Sequence, residues 1–262
     1  MKTNRELNIT WLYPDILSLH GDRGNVLALK TISEKLDIKV NINRVDNLED
    51  DIDFENTDIL MINPGEVKLV EPIVESLKRQ RESLDNYIAK DGIILIIGTS
   101  GAIFGKSLQL IENDRVIDCL GIFDMESFEK DKIYGNDLFY YFTPEEGEEM
   151  QIVGSEISII DFSLNDKEQA LSSIEYGRGN NTKHPDGLEG ARVNNVFFTN
   201  ALGPLLIKNP WFALYLIEKA MKAKDISFTK QELANLDFEM EKKALSSIRK
   251  FITNKELIEK GI

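Results

Sequence analysis

Five consecutive branched aliphatic residues, Ile93 to Ile97, run directly into the small-residue stretch Gly98-Thr99-Ser100-Gly101-Ala102. Nothing else in the chain limits its fold as strongly. So short and uniformly apolar a run reads as a strand buried on both faces, and such strands belong to parallel sheets covered by helices. Asp58-Ile59-Leu60-Met61-Ile62-Asn63 is a second run of this kind, ended by Asn63-Pro64-Gly65. Leu7 to Tyr13 reads as a first strand, followed by a loop of turn formers up to Asn25. Val26, Leu29, Ile32 and Leu36 then fall at helical spacing. Lys39 to Val45 reads as an outer strand, and Val67 to Lys90 as one long helix. This alternation predicts an α/β protein, a three-layer sandwich with a mostly parallel central sheet.

The second half is less regular. Strands are expected at Leu138 to Phe142, Gln151 to Val153, Ile157 to Phe162, Ser172 to Tyr176 and Asn195 to Thr199. A helix over Pro210 to Lys224 begins with proline in its first turn. Beyond Lys224-Asp225 the chain becomes highly charged, with an apolar stripe at Leu233, Leu236, Met240, Leu245 and Ile248, so a terminal helix or pair of helices is expected. The division is therefore a main α/β domain over 1–224 and a helical extension over 225–262 packed on it.

Charge and residue usage exclude several functions. The 262 residues carry a formal net charge of −14, which opposes binding to nucleic acid or to an anionic membrane surface. No apolar run approaches the ~20 residues that cross a bilayer, and Met1 to Glu6 leads into no signal-peptide core. A cytoplasmic protein without membrane insertion is expected. One cysteine, Cys119, and two histidines, His20 and His184, cannot form an internal disulfide, a multi-cysteine zinc site or a histidine-rich metal site. The run Glu145, Glu146, Glu148 and Glu149 reads as a solvated loop, so neither metal nor cofactor is expected.

Ligands of open α/β sheets bind beyond the carboxyl ends of the strands. Gly98-Thr99-Ser100-Gly101-Ala102 nearly fits the serine elbow G-x-S-x-G, which makes Ser100 the candidate nucleophile, with a tight structural turn as the alternative. A serine also needs a base. Neither His20 nor His184 lies at the end of a late strand, and Cys119 sits in an apolar segment away from the turn.

Four motifs recur here in a family's order: Leu19-His20-Gly21-Asp22-Arg23-Gly24-Asn25-Val26-Leu27; Leu120-Gly121-Ile122; Tyr176-Gly177-Arg178-Gly179-Asn180-Asn181 with Glu189-Gly190; and Leu202-Gly203-Pro204-Leu205-Leu206 with Asn209-Pro210. Across about residues 7 to 250 the chain resembles the CobB/CobQ-type class I glutamine amidotransferases. The likeness is strongest to the stand-alone glutaminase subunit of lipid II isoglutaminyl synthase. That subunit works with a Mur-ligase-like synthetase to amidate the D-glutamate of the bacterial peptidoglycan stem peptide. The resemblance implies a cysteine nucleophile and a histidine, which form a glutamyl thioester and release ammonia. Counting along the motifs places Gly98 at the cysteine and Leu202 at the histidine, and neither can do that chemistry. The oxyanion loop corresponds to Asn63-Pro64-Gly65-Glu66, where Pro64 lacks a donor and Glu66 adds negative charge. Of a Gly-Phe-Glu-Asn-His stretch only Gly154 and Glu156 remain, and the substrate-contacting arginine corresponds to Lys132.

The resemblance thus implies a pocket lined by Gly65, Gly98, Thr99, Ser100, Lys132 and Leu202 without catalytic residues. The expectation is a catalytically inactive or regulatory partner of a Mur-ligase-like synthetase in peptidoglycan precursor amidation. Two alternatives are an amidotransferase or hydrolase with Ser100 as relocated nucleophile, and a glutamine-binding sensor. The Lys/Glu-rich terminal helix is a further candidate partner face.

Overall fold

Where apolar residues are continuous the chain forms central strands, and where they recur every three or four residues it forms covering helices. In the computed structural model, which describes residues 5–112 and 114–259, β1 (Glu6–Leu12) leads through a loop with a 3-10 turn at Leu19–Gly21 to α1 (Gly24–Lys35) and β2 (Lys39–Val45). Next come β3 (Ile59–Ile62), α2 (Val70–Arg79), α3 (Arg81–Ala89), β4 (Ile93–Ile97) and the short α4 (Gly101–Phe104). The middle of the chain is β5 (Ser107–Gln109), β6 (Val116–Asp118), β7 (Met125–Phe142), β8 (Met150–Leu164), β9 (Ser172–Tyr176) and β10 (Leu188–Glu189). Then follow β11 (Ala191–Val193), β12 (Val196–Thr199), α5 (Leu205–Lys208), α6 (Pro210–Lys222), α7 (Lys230–Ala234) and α8 (Glu239–Glu259). Residues 1–4 and 260–262, and with them most of the N-terminal stretch and the ends of both expected divisions, lie outside the described residues.

The expected central sheet is present as β11-β12-β4-β3-β1-β2, with every neighbouring pair parallel except β11 and β12. Alternation along the strands divides its two faces. Ile59, Met61, Ile93, Leu95 and Ile97 pack under α1 and α6, whereas Leu60, Ile62, Ile94 and Ile96 pack under α2, α3 and α4. All four residues of β3 and all five of β4 are buried. Burying each such side chain contributes about 1.5–3 kcal/mol, so these two strands anchor the three layers.

The structure departs from expectation in two places. The helix read over Val67 to Lys90 breaks at Gln80, whose side chain accepts a bond from Ile52 N at 2.8 Å and donates to Asp50 O at 3.3 Å. That tie to the preceding loop coincides with the break. In the second half, the separate strands expected at Gln151 to Val153 and Ile157 to Phe162 are one strand, β8, paired along its length with the 18-residue β7. Gly154-Ser155-Glu156 looks like an interruption but continues the strand. Gly154 packs so closely on the 201–202 segment that a Cβ there would lie 2.6 Å from Ala201 Cβ. This hairpin forms a second sheet with β5, β6, β9 and β10. The terminal helices are a pair: α7 opens with a Thr229–Glu232 capping box, and α8 packs Leu245, Ile248 and Ile252 near Phe139 and Val153 of the second sheet. Among the described residues no helix is long and apolar enough to cross a membrane.

Candidate functional site

At the carboxyl end of β4 the chain makes the sharp turn expected of an elbow. Gly98 is left-handed, with φ +61°, and leads through a 3-10 turn into α4. A side chain at this position would point at two neighbours. A Cβ added to Gly98 would lie 2.9 Å from Leu202 Cδ2 and 3.1 Å from Pro64 Cβ. Residues from three different loops, after β3, β4 and β12, thus meet at one point. Leu202 is buried and is held by an antiparallel bridge to Ser155 of β8.

The hydroxyls beside Gly98 are turned inward. Ser100 is 2% exposed, and its Oγ donates to Asn63 O at 2.7 Å. Thr99 Oγ1 donates to Gly65 O at 2.7 Å and accepts from Gly65 N at 3.1 Å, so the Gly65 backbone donor is already occupied. Both contacts tie the elbow to the loop after β3. Glu66 points outward and pairs with Lys68 at 2.6 Å. The space left between Gly98, Thr99, Ile157, Ser158, Phe162 and Asn200 is about 10 Å³, room for one water at most.

The fold brings Gly65, Gly98, Thr99, Ser100 and Leu202 together. Lys132 is exposed on β7, within the register shift between Glu129 and Tyr134, and does not line that space. His20 lies in the turn after β1, where partial burial holds its imidazole below its ordinary value. His184 is exposed, its N–H donating to Asn181 Oδ1 at 2.7 Å. Among the described residues no hydrogen bond joins either histidine to Ser100, whose oxygen meets only a carbonyl. Cys119 is buried, and burial pushes its thiol up to about 12. Among the described residues no group of three or more His, Cys, Asp or Glu could hold a metal ion.

Two buried polar networks flank the elbow, and residue spacing does not announce either. On one side Asp22, fully buried, accepts from Asn25 Nδ2 at 2.9 Å and from Gly203 N at 3.3 Å, while Asn25 Oδ1 accepts from Leu206 N at 2.8 Å. Burial pushes the Asp22 carboxyl up to about 6. On the other side Glu189, also fully buried, accepts from Thr199 Oγ1 at 2.7 Å and from Asn200 N at 2.8 Å. Asn180 clamps Gly190 reciprocally, donating to its O at 2.8 Å and accepting from its N at 2.7 Å. Glu156 Oε2 accepts from Arg178 N at 2.9 Å, and its Oε1 has no partner among the described residues. Burial above all, with the neighbouring Glu189 charge, pushes the Glu156 carboxyl up to about 7. These bonds join the shared motifs pairwise: Gly-Asp-Arg-Gly-Asn to Leu-Gly-Pro-Leu-Leu, and Gly-Arg-Gly-Asn-Asn to Glu-Gly.

Residues 8–209 match the CobB/CobQ-like glutamine amidotransferase domain. The chain is 30% identical over 230 residues to subunit GatD of the glutamine-hydrolysing lipid II isoglutaminyl synthase of Streptococcus pneumoniae, covering 84% of this chain and 82% of that protein. It is 29% identical over 234 residues to the corresponding Staphylococcus aureus GatD, covering 88% and 90% respectively. Among solved structures, a glutamine amidotransferase superposes with a TM-score of 0.48 at 14% identity, covering 81% of this chain and 98% of that one. The glutaminase domain of Trypanosoma brucei CTPS with bound acivicin gives 0.48 at 10% identity, covering 85% and 95%. With three quarters of its length matched, the chain belongs to the CobB/CobQ-like glutamine amidotransferase family.

Proposed function

We propose that this chain is a glutamine amidotransferase-like subunit without glutaminase activity, acting as a non-catalytic or regulatory partner of a Mur-ligase-like synthetase in peptidoglycan precursor amidation in the cytoplasm. Two observations carry the reading: Leu202 and Pro64 crowd the position of a Gly98 side chain, and the space beside Gly98 and Thr99 is only about 10 Å³. Small-molecule sites span roughly 300–1,000 Å³. A site this small has no room for glutamine, so the same observation weighs against a glutamine sensor. Glycine supplies no nucleophile and leucine no base, and the hydroxyl of Ser100 is donated to a backbone carbonyl rather than to a base. The synthetase partner then takes ammonia from solution or performs a different reaction. The pathway rests on the two GatD relatives.

Ammonia release from glutamine, measured on the purified protein alone and with a Mur-ligase-like synthetase, tests this reading. Background release in both cases is expected. Release that survives Cys119→Ala and disappears with Ser100→Ala would make the chain a serine-based amidotransferase.

A further inference from the structure

A second cavity, of about 530 Å³, lies where the end of α6 meets the loop between β7 and β8 and the segment before α7. It shares no lining residue with the elbow and is independent of the reading above. Tyr215, Ile226 and Phe228 form its apolar wall, and its charged lining is three carboxylates against two ammonium groups. Most of that charge is internally spent. Glu145 accepts from Tyr215 Oη at 2.9 Å and Lys219 Nζ at 3.3 Å, and pairs with Arg192. Glu146 pairs with Lys222 at 2.7 Å. The guanidinium of Arg5 lies over the Phe228 ring, 5.0 Å from its centroid, and pairs with Glu232.

Glu218 is the exception. It is half-buried on the cavity wall, and no hydrogen bond or ion pair reaches it among the described residues. Burial holds its carboxyl above the ordinary value, the mark of a charge without a counter-ion. An unpaired carboxylate beside an aliphatic and aromatic wall complements a cation carried on an apolar body. A neutral ligand would leave the carboxylate uncompensated, and an anion would be repelled.

We propose that this cavity binds a primary ammonium group on an apolar chain, with Glu218 as counter-ion and Ile226 and Phe228 receiving the chain. Binding then strengthens as the pH rises and Glu218 ionises. The test is a titration of the full-length protein with n-hexylammonium, hexanol and hexanoate, followed by amide chemical shifts. Saturable shifts at Glu218, Ile226 and Phe228 are expected with the amine. Hexanol should bind about tenfold more weakly or worse, as should the amine to Glu218→Gln, because each lacks one partner of a charged hydrogen bond. Phe228→Ala should weaken every ligand, whereas Glu239→Gln on α8 should change nothing. Because Glu218 bonds no neighbour and burial disfavours its charge, its glutamine variant should melt no lower than the parent. Equal binding of hexanol, undiminished amine binding by Glu218→Gln, or no saturable shift with the amine would each overturn the proposal.

Discussion

The elbow lies at the carboxyl edge of the central sheet and the networks meet that edge on either side of it, yet they are built from opposite materials. At the elbow a leucine and a proline crowd the side-chain position of a glycine, and the space beside that glycine is about 10 Å³. A few residues away, Asp22, Asn25, Asn180, Glu189 and Asn200 are buried polar groups with their bonds made. The difference separates what holds a fold from what performs a reaction. A buried polar network costs several kcal/mol if one member is lost, so its motifs are tied to folding itself. A reactive pair contributes nothing to folding, and filling its pocket with an aliphatic side chain adds packing.

That contrast can be broken or sharpened by substitution, beginning with the networks. Asn180→Ala would leave the Gly190 N–H and C=O and one bond of Asn200 unsatisfied inside the protein. The expected loss is about 4 kcal/mol, read as a lower denaturant midpoint at unchanged slope. A loss below about 1 kcal/mol would mean that the networks are not what preserves the motifs.

The networks also set a pH dependence. Burial holds Asp22 at about 6 and Glu156 at about 7, so the folded chain keeps protons that the unfolded chain has released. Their contribution is fully present below about pH 4, where both states are protonated, and is lost as the pH rises through 6 and 7. Melting temperature should therefore fall from pH 5 to pH 8, with on the order of 3 kcal/mol attributable to Glu156. Glu156→Gln should flatten most of that slope. A melting temperature that rises over the same window would contradict the assignment.

At the elbow the expected effects are smaller and coupled. Gly98→Ala places a Cβ against Leu202 and Pro64 in a left-handed conformation and should cost about 1–3 kcal/mol. In a Leu202→Ala background part of that clash disappears, and a double-mutant cycle should show a coupling of about 1 kcal/mol. Additivity would mean that the two side chains do not meet. Ser100→Ala removes one buried hydrogen bond to Asn63 O and should cost about 1 kcal/mol of stability, while ammonia release stays at background.

Much of this architecture was legible in the sequence. Continuous apolar runs identify β3 and β4, and helical spacing identifies α1, because burial on both faces or on one stripe leaves an unmistakable pattern. The long hairpin was harder to read. Gly154-Ser155-Glu156 breaks the apolar pattern of β8, since Gly154 yields to the 201–202 segment and Glu156 bonds the Arg178 backbone. At the elbow, motif spacing marked Gly98 and Leu202 one at a time. That they touch, about a hundred residues apart in the chain, is a property of the fold, which sets β12 beside β4. The Thr99 clasp on Gly65 had no sequence signal, because a threonine beside a tight turn is compatible with many partners.

The central claim is that the family's glutamine site is filled in this chain. Amide chemical shifts of Gly98, Thr99 and Leu202 during a glutamine titration test it most directly. The account predicts that none of the three moves saturably. Saturable shifts at those residues would show a pocket open to glutamine and contradict it.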